Sequence, residues 1–135
     1  MKIHHIGYIV DKIEKAAKEF KALGYVMRGE TVLDEERGIF ILFAENDGLV
    51  VELISPVNET SPLYGLYKQY KNSPYHICYE TTNLDEQIAL LTQSGYVLFQ
   101  QPKPAPAIEG CPLVAFLISR HIGIIELMET KANGN

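Results

Sequence analysis

Two stretches of this chain, His5–Val26 and His76–Val97, read HIGYIVDKIEKAAKEFKALGYV and HICYETTNLDEQIALLTQSGYV, and their likeness limits the possible folds more than any other feature. The histidines, the glycines Gly24 and Gly95, and the closing valines stand at one offset (76 − 5, 95 − 24 and 97 − 26 all give 71). Ile6 matches Ile77, Tyr8 matches Tyr79, and Tyr25 matches Tyr96. Further on, Val50-Val51-Glu52-Leu53-Ile54 matches Ile124-Ile125-Glu126-Leu127-Met128 with 126 − 52 = 74, so the second copy carries three extra residues. The Pro-rich run Pro102-Lys103-Pro104-Ala105-Pro106 is the natural loop to hold them. A chain duplicated in this way folds as two copies of one supersecondary unit.

Each copy reads as strand, helix and three strands, a βαβββ module, which makes the fold class α+β. Ile3–Val10 is β-branched and aromatic, as a strand requires. Asp11 with Glu14 resembles a capping box, and Ile13, Ala16, Ala17, Phe20 and Leu23 fall on one helical face before Gly24 ends the helix. Asn83 with Glu86, then Leu84, Ile88 and Leu91, closing at Gly95, repeats the design. Gly38–Glu45 and Leu49–Ser55 form a hairpin about Asn46-Asp47-Gly48. Leu113–Ser119 and Gly123–Glu129 form its counterpart about Arg120-His121-Ile122. The chain divides into module one at about 1–56, a linker at 57–74 with a helix-prone Leu63–Tyr70, and module two at about 75–130. The tail Thr130–Asn135 is expected to fray.

A length of 135 residues with 47% apolar and 21% charged side chains suits one compact domain with a real core. The net charge of −5 argues against nucleic-acid and anionic-membrane partners, which need a basic footprint. No apolar run approaches the roughly 18 residues of a membrane span, and the start of the chain shows no targeting pattern. Cys78 and Cys111 form neither a CxxC motif nor a disulfide framework. The expected partner is a small molecule and the expected compartment the cytoplasm.

Strand parity sharpens the chemistry. If Ile6, Tyr8 and Val10 pack under the helix, His5 faces the other way, and the same reasoning turns His76 away from Ile77 and Tyr79. Glu52 and Glu126 likewise oppose Val51, Leu53, Ile125 and Leu127. A carboxylate set among apolar strand residues is costly unless it protonates, pairs or binds a metal. The same residue types at equivalent positions of both copies point to His5, Glu52, His76 and Glu126 as ligands of one divalent metal. Mixed nitrogen and oxygen donors suit nickel, cobalt, zinc, iron or manganese. His4 has the opposite parity from His5, His121 lies in a turn, and Cys78 reads as a small filler. Arg28, Arg37, Lys103 and Arg120 are the basic residues that could grip an anionic group.

The strings His4-His5-Ile6-Gly7, Val51-Glu52-Leu53-Ile54-Ser55-Pro56, Ser61-Pro62-Leu63, Tyr75-His76-Ile77-Cys78-Tyr79-Glu80, Val114-Ala115-Phe116-Leu117 and Gly123-Ile124-Ile125-Glu126-Leu127 together resemble the vicinal oxygen chelate superfamily, which includes glyoxalase I and methylmalonyl-CoA epimerase. The resemblance implies a cup-shaped mixed sheet of the glyoxalase/bleomycin resistance type. It also implies His5, Glu52, His76 and Glu126 as the metal ligands, nickel, cobalt or zinc as the ion, and a homodimer. The chemistry it implies is proton transfer beside a carbonyl of a thiol or CoA conjugate, with Glu126 as first choice of base and Glu52 as its counterpart. A glyoxalase I type lyase is the leading expectation and methylmalonyl-CoA epimerase the alternative. Some epimerases carry an extra catalytic Glu two residues after the hairpin Gly, where this chain has Phe40. A non-catalytic small-molecule binding protein is the third possibility, and an extradiol dioxygenase fits less well because Glu52 would be a surplus ligand.

Overall fold

The computed structural model describes residues 1–131. The elements run β1 (Lys2–Ile9), α1 (Ile13–Ala22), β2 (Val26–Asp34), β3 (Ile39–Asn46), β4 (Leu49–Pro56), α2 (Tyr64–Tyr70), β5 (Ser73–Thr81), α3 (Leu84–Gln93), β6 (Val97–Pro104), β7 (Leu113–Ser119) and β8 (Gly123–Glu129). The eight strands belong to a mixed sheet, ordered β2-β3-β4-β1 in the first copy and β5-β8-β7-β6 in the second. In each copy the first and last strands pair in parallel while the three later strands form an antiparallel meander. Two βαβββ modules are therefore present. No helix among the described residues is long and apolar enough to cross a membrane.

Spatial grouping cuts the chain differently from the sequence. One compact unit is His5–Tyr75, and the other joins Met1–His4 to the residues from His76 onward. The segment 57–74, expected as a linker, groups with the first module and contains α2. The first four residues group with the second.

Both long helices end in the same way. Tyr25 N–H donates to Phe20 O and Gly24 N–H to Lys21 O, while Tyr96 N–H donates to Leu91 O and Gly95 N–H to Thr92 O. These are Schellman closures with glycine at C′, where φ is +102° in both copies. The helix starts differ. Asn83 caps α3, its side chain accepting the Glu86 N–H at 3.1 Å. At α1 the expected cap Asp11 is displaced: the helix begins one residue later, and Lys12 is its N-cap without a side-chain bond. Asp11 is held instead by its backbone, its N–H donating to Asn72 Oδ1 and its carbonyl accepting from Ser55 Oγ.

Each module closes its own core between helix and sheet. In the first, Val10, Ile13, Ala17, Leu42, Val51 and Leu53 are buried together, with Tyr8, Phe20 and Tyr25 packed against them. In the second, Leu84, Ala115, Leu117, Ile125 and Leu127 are buried, with Tyr79, Leu91 and Tyr96 alongside. The predicted helical stripe holds except at Leu23, which is 71% exposed because it is the C-cap residue, beyond the last buried turn.

The three extra residues of the second copy do not all fall in the Pro-rich stretch. Asn46 pairs with Leu49 around the two-residue turn Asp47-Gly48, whereas Ser119 pairs with Gly123 around three residues. One extra residue therefore lies in the β7–β8 turn, and the other two precede it. Asp47 and Gly48 have φ of 52° and 82°, as a type I′ hairpin turn demands. Of the tail expected to fray, Thr130 is pinned by its N–H to Thr81 O at 2.8 Å. The rest of that expectation falls on residues 132–135, outside the described ones.

Candidate metal centre

In the first module β1 carries His5 and β4, parallel to it, carries Glu52. Gly7 is the register partner of Glu52, so a residue without a side chain lies beside the carboxylate. His5 and Glu52 are 1% and 5% exposed, and His5 Nε2 stands 3.3 Å from Glu52 Oε1. The second module repeats the arrangement on β5 and β8. His76 and Glu126 are both 3% exposed, with Nε2 3.0 Å from Oε1. Cys78, small and fully buried, is the register partner of Glu126.

Aromatic rings hold both imidazoles. Phe43 lies opposite Glu52 across the β3–β4 hairpin and meets His5 edge-on, with centroids 5.5 Å apart at 80°. Phe116 lies opposite Glu126 across β7–β8 and meets His76 at 5.2 Å and 86°. These rings restrict imidazole rotation and keep water from the pair. Sequence reasoning missed both phenylalanines. The available signal was their position across each hairpin from a Glu.

A buried imidazole and carboxylate in contact can share a proton or act as neighbouring ligands of one cation. Ligand atoms about 2.1 Å from an ion lie about 3.0 Å apart at a right angle and about 3.4 Å apart at the tetrahedral angle. The observed 3.0 and 3.3 Å fall in that interval. Each pair could therefore hold a divalent cation, and one nitrogen with one carboxylate oxygen is a donor set for nickel, cobalt or zinc.

The profile of the Glyoxalase/Bleomycin resistance protein/Dioxygenase superfamily matches residues 4–116. The chain belongs to that superfamily. The chain is 28% identical over 88 residues to human mitochondrial methylmalonyl-CoA epimerase, covering 64% of the chain and 50% of the human protein. The chain thus spans about half the length of that curated relative. An ethylmalonyl-CoA/methylmalonyl-CoA epimerase of Cereibacter sphaeroides is 24% identical over 114 residues, covering 84% of the chain and 85% of that protein. Among solved structures, a hypothetical protein of Bacillus halodurans superposes with a TM-score of 0.84 at 24% identity, covering 99% and 97% of the two chains. A Streptomyces coelicolor methylmalonyl-CoA epimerase variant in complex with 2-nitronate-propionyl-CoA gives 0.82 at 20% identity, covering 100% and 98%. These likenesses show that the superfamily member has the glyoxalase/bleomycin resistance fold.

Other sequence candidates have structural work. Arg28 Nε donates to Glu45 Oε2 at 2.7 Å, and Arg37 Nη1 contacts the buried Asp34 at 2.9 Å. Ser61 is buried, accepts the Leu63 N–H and faces Gly38, so the Ser-Pro string shapes the approach to α2. His121 is exposed in its turn, as expected. Phe40 packs into the cluster beneath α1, so its side chain is turned away from the face of Phe43. By parity the β3 residues on the Phe43 face are Ile39, Ile41 and Glu45, and Glu45 is taken up by Arg28. No carboxylate on this strand stands ready as a second base.

Proposed function

We propose that the two His–Glu pairs serve one divalent cation and that the protein transfers a proton beside the carbonyl of an acyl thioester, epimerising a 2-substituted acyl-CoA. The observation that carries this reading is the buried His–Glu contact repeated at 3.3 and 3.0 Å in equivalent places of a duplicated chain. The relatives support the epimerase over the glyoxalase I reaction that the sequence alone put first.

His5, Glu52, His76 and Glu126 would hold the ion, with nickel, cobalt or zinc the candidates. When bound, it supplies Lewis-acid stabilisation of negative charge on the thioester oxygen. The carboxylate of Glu126 takes the proton from C2, and the C–H electron pair moves into the C1–C2 bond as the carbonyl electrons move to oxygen. Glu52, which holds the ion only as a carboxylate, would first leave it with a proton taken from solvent and then return that proton to C2 from the opposite face, and the electrons flow back. Glu126 ends protonated and Glu52 ionised, and proton exchange with solvent resets them. Phe43 and Phe116 keep the imidazoles oriented and the pairs dry. The reading includes a homodimer, as the family resemblance implies, and a cytoplasmic location; sedimentation tests the dimer.

A second reading, the glyoxalase I type lyase, is favoured by one feature: β3 has Phe40 where some epimerases carry an extra Glu, and the one carboxylate on its Phe43 face, Glu45, is paired with Arg28. One experiment separates the two. Metal-loaded protein is incubated with deuterated methylmalonyl-CoA and, separately, with the methylglyoxal–glutathione hemithioacetal. The proposal expects deuterium loss from C2 and no thioester from the hemithioacetal. Thioester formation without deuterium loss would replace it with the lyase. Silence on both with metal bound would leave a binding protein.

A further inference from the structure

The second module carries a row of apolar side chains that starts at His76 and runs out to solvent. Phe116 stands edge-on to His76, and Phe99 lies against Phe116 with centroids 5.9 Å apart and planes at 36°. Val97 pairs with Ile118, and Val97, Phe99 and Ile118 are 59%, 49% and 40% exposed. Phe116 is the register partner of Glu126 and Ile118 of Ile124, so the row shares the face of the buried carboxylate.

The duplication provides an internal comparison. The counterparts of Val97, Phe99, Phe116 and Ile118 are Val26, Arg28, Phe43 and Glu45 (97 − 26 = 71, 99 − 28 = 71, 116 − 43 = 73, 118 − 45 = 73). Val26 pairs with Glu45 as Val97 pairs with Ile118, but Arg28 is the register partner of Phe43 whereas a bulge between Leu98 and Gln100 sets Gln100 opposite Phe116, so Phe99 reaches that ring from the bulge. Yet the first module fills the outer positions with the Arg28–Glu45 ion pair, and the second with Phe99 and Ile118. A solvated ion pair is an ordinary finish for a sheet face. An exposed phenylalanine and isoleucine beside a buried polar pair leave apolar surface that folding alone does not cover.

We infer that this row is the subsite for the uncharged arm of the thioester, an alkyl-amide chain of the pantetheine type. Taking the proton-transfer reading as its basis, the inference names the thiol half of the substrate. The four side chains offer dispersion and apolar contact and no counter-charge. A glutathione arm, with two carboxylates and an ammonium group, would meet nothing on this row to replace its lost hydration. A pantetheine-type arm would lay methylene and gem-dimethyl groups on the rings while its carbonyl end reached His76 and Glu126.

The test transplants the first module's finish onto the second with F99R/I118E, which leaves net charge unchanged. F99A is the milder companion. Zinc-loaded parent and variants are titrated calorimetrically with propionyl-CoA and with S-lactoylglutathione, and zinc stoichiometry and unfolding temperature are recorded for each. The expected result is propionyl-CoA affinity lowered about tenfold or more in F99R/I118E and less in F99A, from lost apolar contact. Zinc stoichiometry should not change, and S-lactoylglutathione should bind no better than propionyl-CoA to the parent. Equal propionyl-CoA affinity in parent and both variants overturns the subsite, as does a parent that prefers the glutathione thioester. A variant that changes only the sedimentation coefficient overturns it too, because a second copy of the chain would then be the occupant. Phe99-dependent propionyl-CoA binding without deuterium loss from methylmalonyl-CoA would keep the subsite and remove the reaction.

Discussion

Replacing Glu126 with Gln separates a metal ligand from a structural ion pair. The amide keeps the side-chain volume and an oxygen facing His76 Nε2, now 3.0 Å from the carboxylate, and removes the charge. If the pair existed to stabilise the fold, breaking it inside a site where both partners are 3% exposed would cost about 3–5 kcal/mol. At about 3–4 °C per kcal/mol for a domain of this length, the metal-free protein would then melt roughly 9–20 °C lower. The metal-ligand reading expects something else. The metal-free variant should shift by no more than about 1 kcal/mol, the worth of one altered hydrogen bond. Metal at a hundred times its dissociation constant stabilises the parent by about 2.7 kcal/mol, roughly 9 °C. A hundredfold loss of affinity at the same metal concentration leaves about 0.4 kcal/mol, a degree or two. Thermal unfolding with and without zinc reads both quantities. A large drop in the metal-free protein, with the zinc-induced rise intact, would refute the reasoning.

Gly24→Ala and Gly95→Ala should each cost about 1–2 kcal/mol in urea unfolding, because both C′ residues sit at φ +102°, while an added Cβ would make only an ordinary 3.7 Å contact with Asn46 at Gly24 and none within 4 Å at Gly95. Asn83→Ala should cost about 1 kcal/mol by losing the α3 cap, while Lys12→Ala at the equivalent end of α1 should cost less than half of that. Burial, together with the neighbouring Asp11 carboxylate, raises the Tyr67 phenol above 10.0, so Tyr67 contributes stability below the ordinary tyrosine range that fades as pH climbs through its own higher value. Asp11→Asn should bring the Tyr67 ionisation back toward 10.0 in an ultraviolet titration.

Much of the architecture was legible because the repeat fixed the period and phase of every strand. The β7–β8 hairpin was read to the residue, since Leu113–Ser119 and Gly123–Glu129 are bounded by turn residues with no competing pattern. Parity also put His5 opposite Tyr8 and Val10, and the buried His–Glu contacts follow from that. The failures were local competitions that a sequence does not display. Asp11 looks like a cap but spends its backbone on Asn72 and Ser55, leaving the helix to start at Ile13. The phenylalanines that brace the imidazoles were missed because finding them takes the cross-strand register, which depends on turn length, and the two turns differ by one residue.

The grouping of Met1–His4 with the residues from His76 onward makes the two copies unequal as separable pieces. A fragment expressed from His76 would lack four residues of its own compact body, although nothing between them and it in sequence belongs there. Splitting the gene at the repeat boundary should therefore yield a weaker later half than a permuted version that splices Met1–His4 onto it. Duplication here has left a polypeptide whose ancestral seam and present-day cleavage plane no longer coincide.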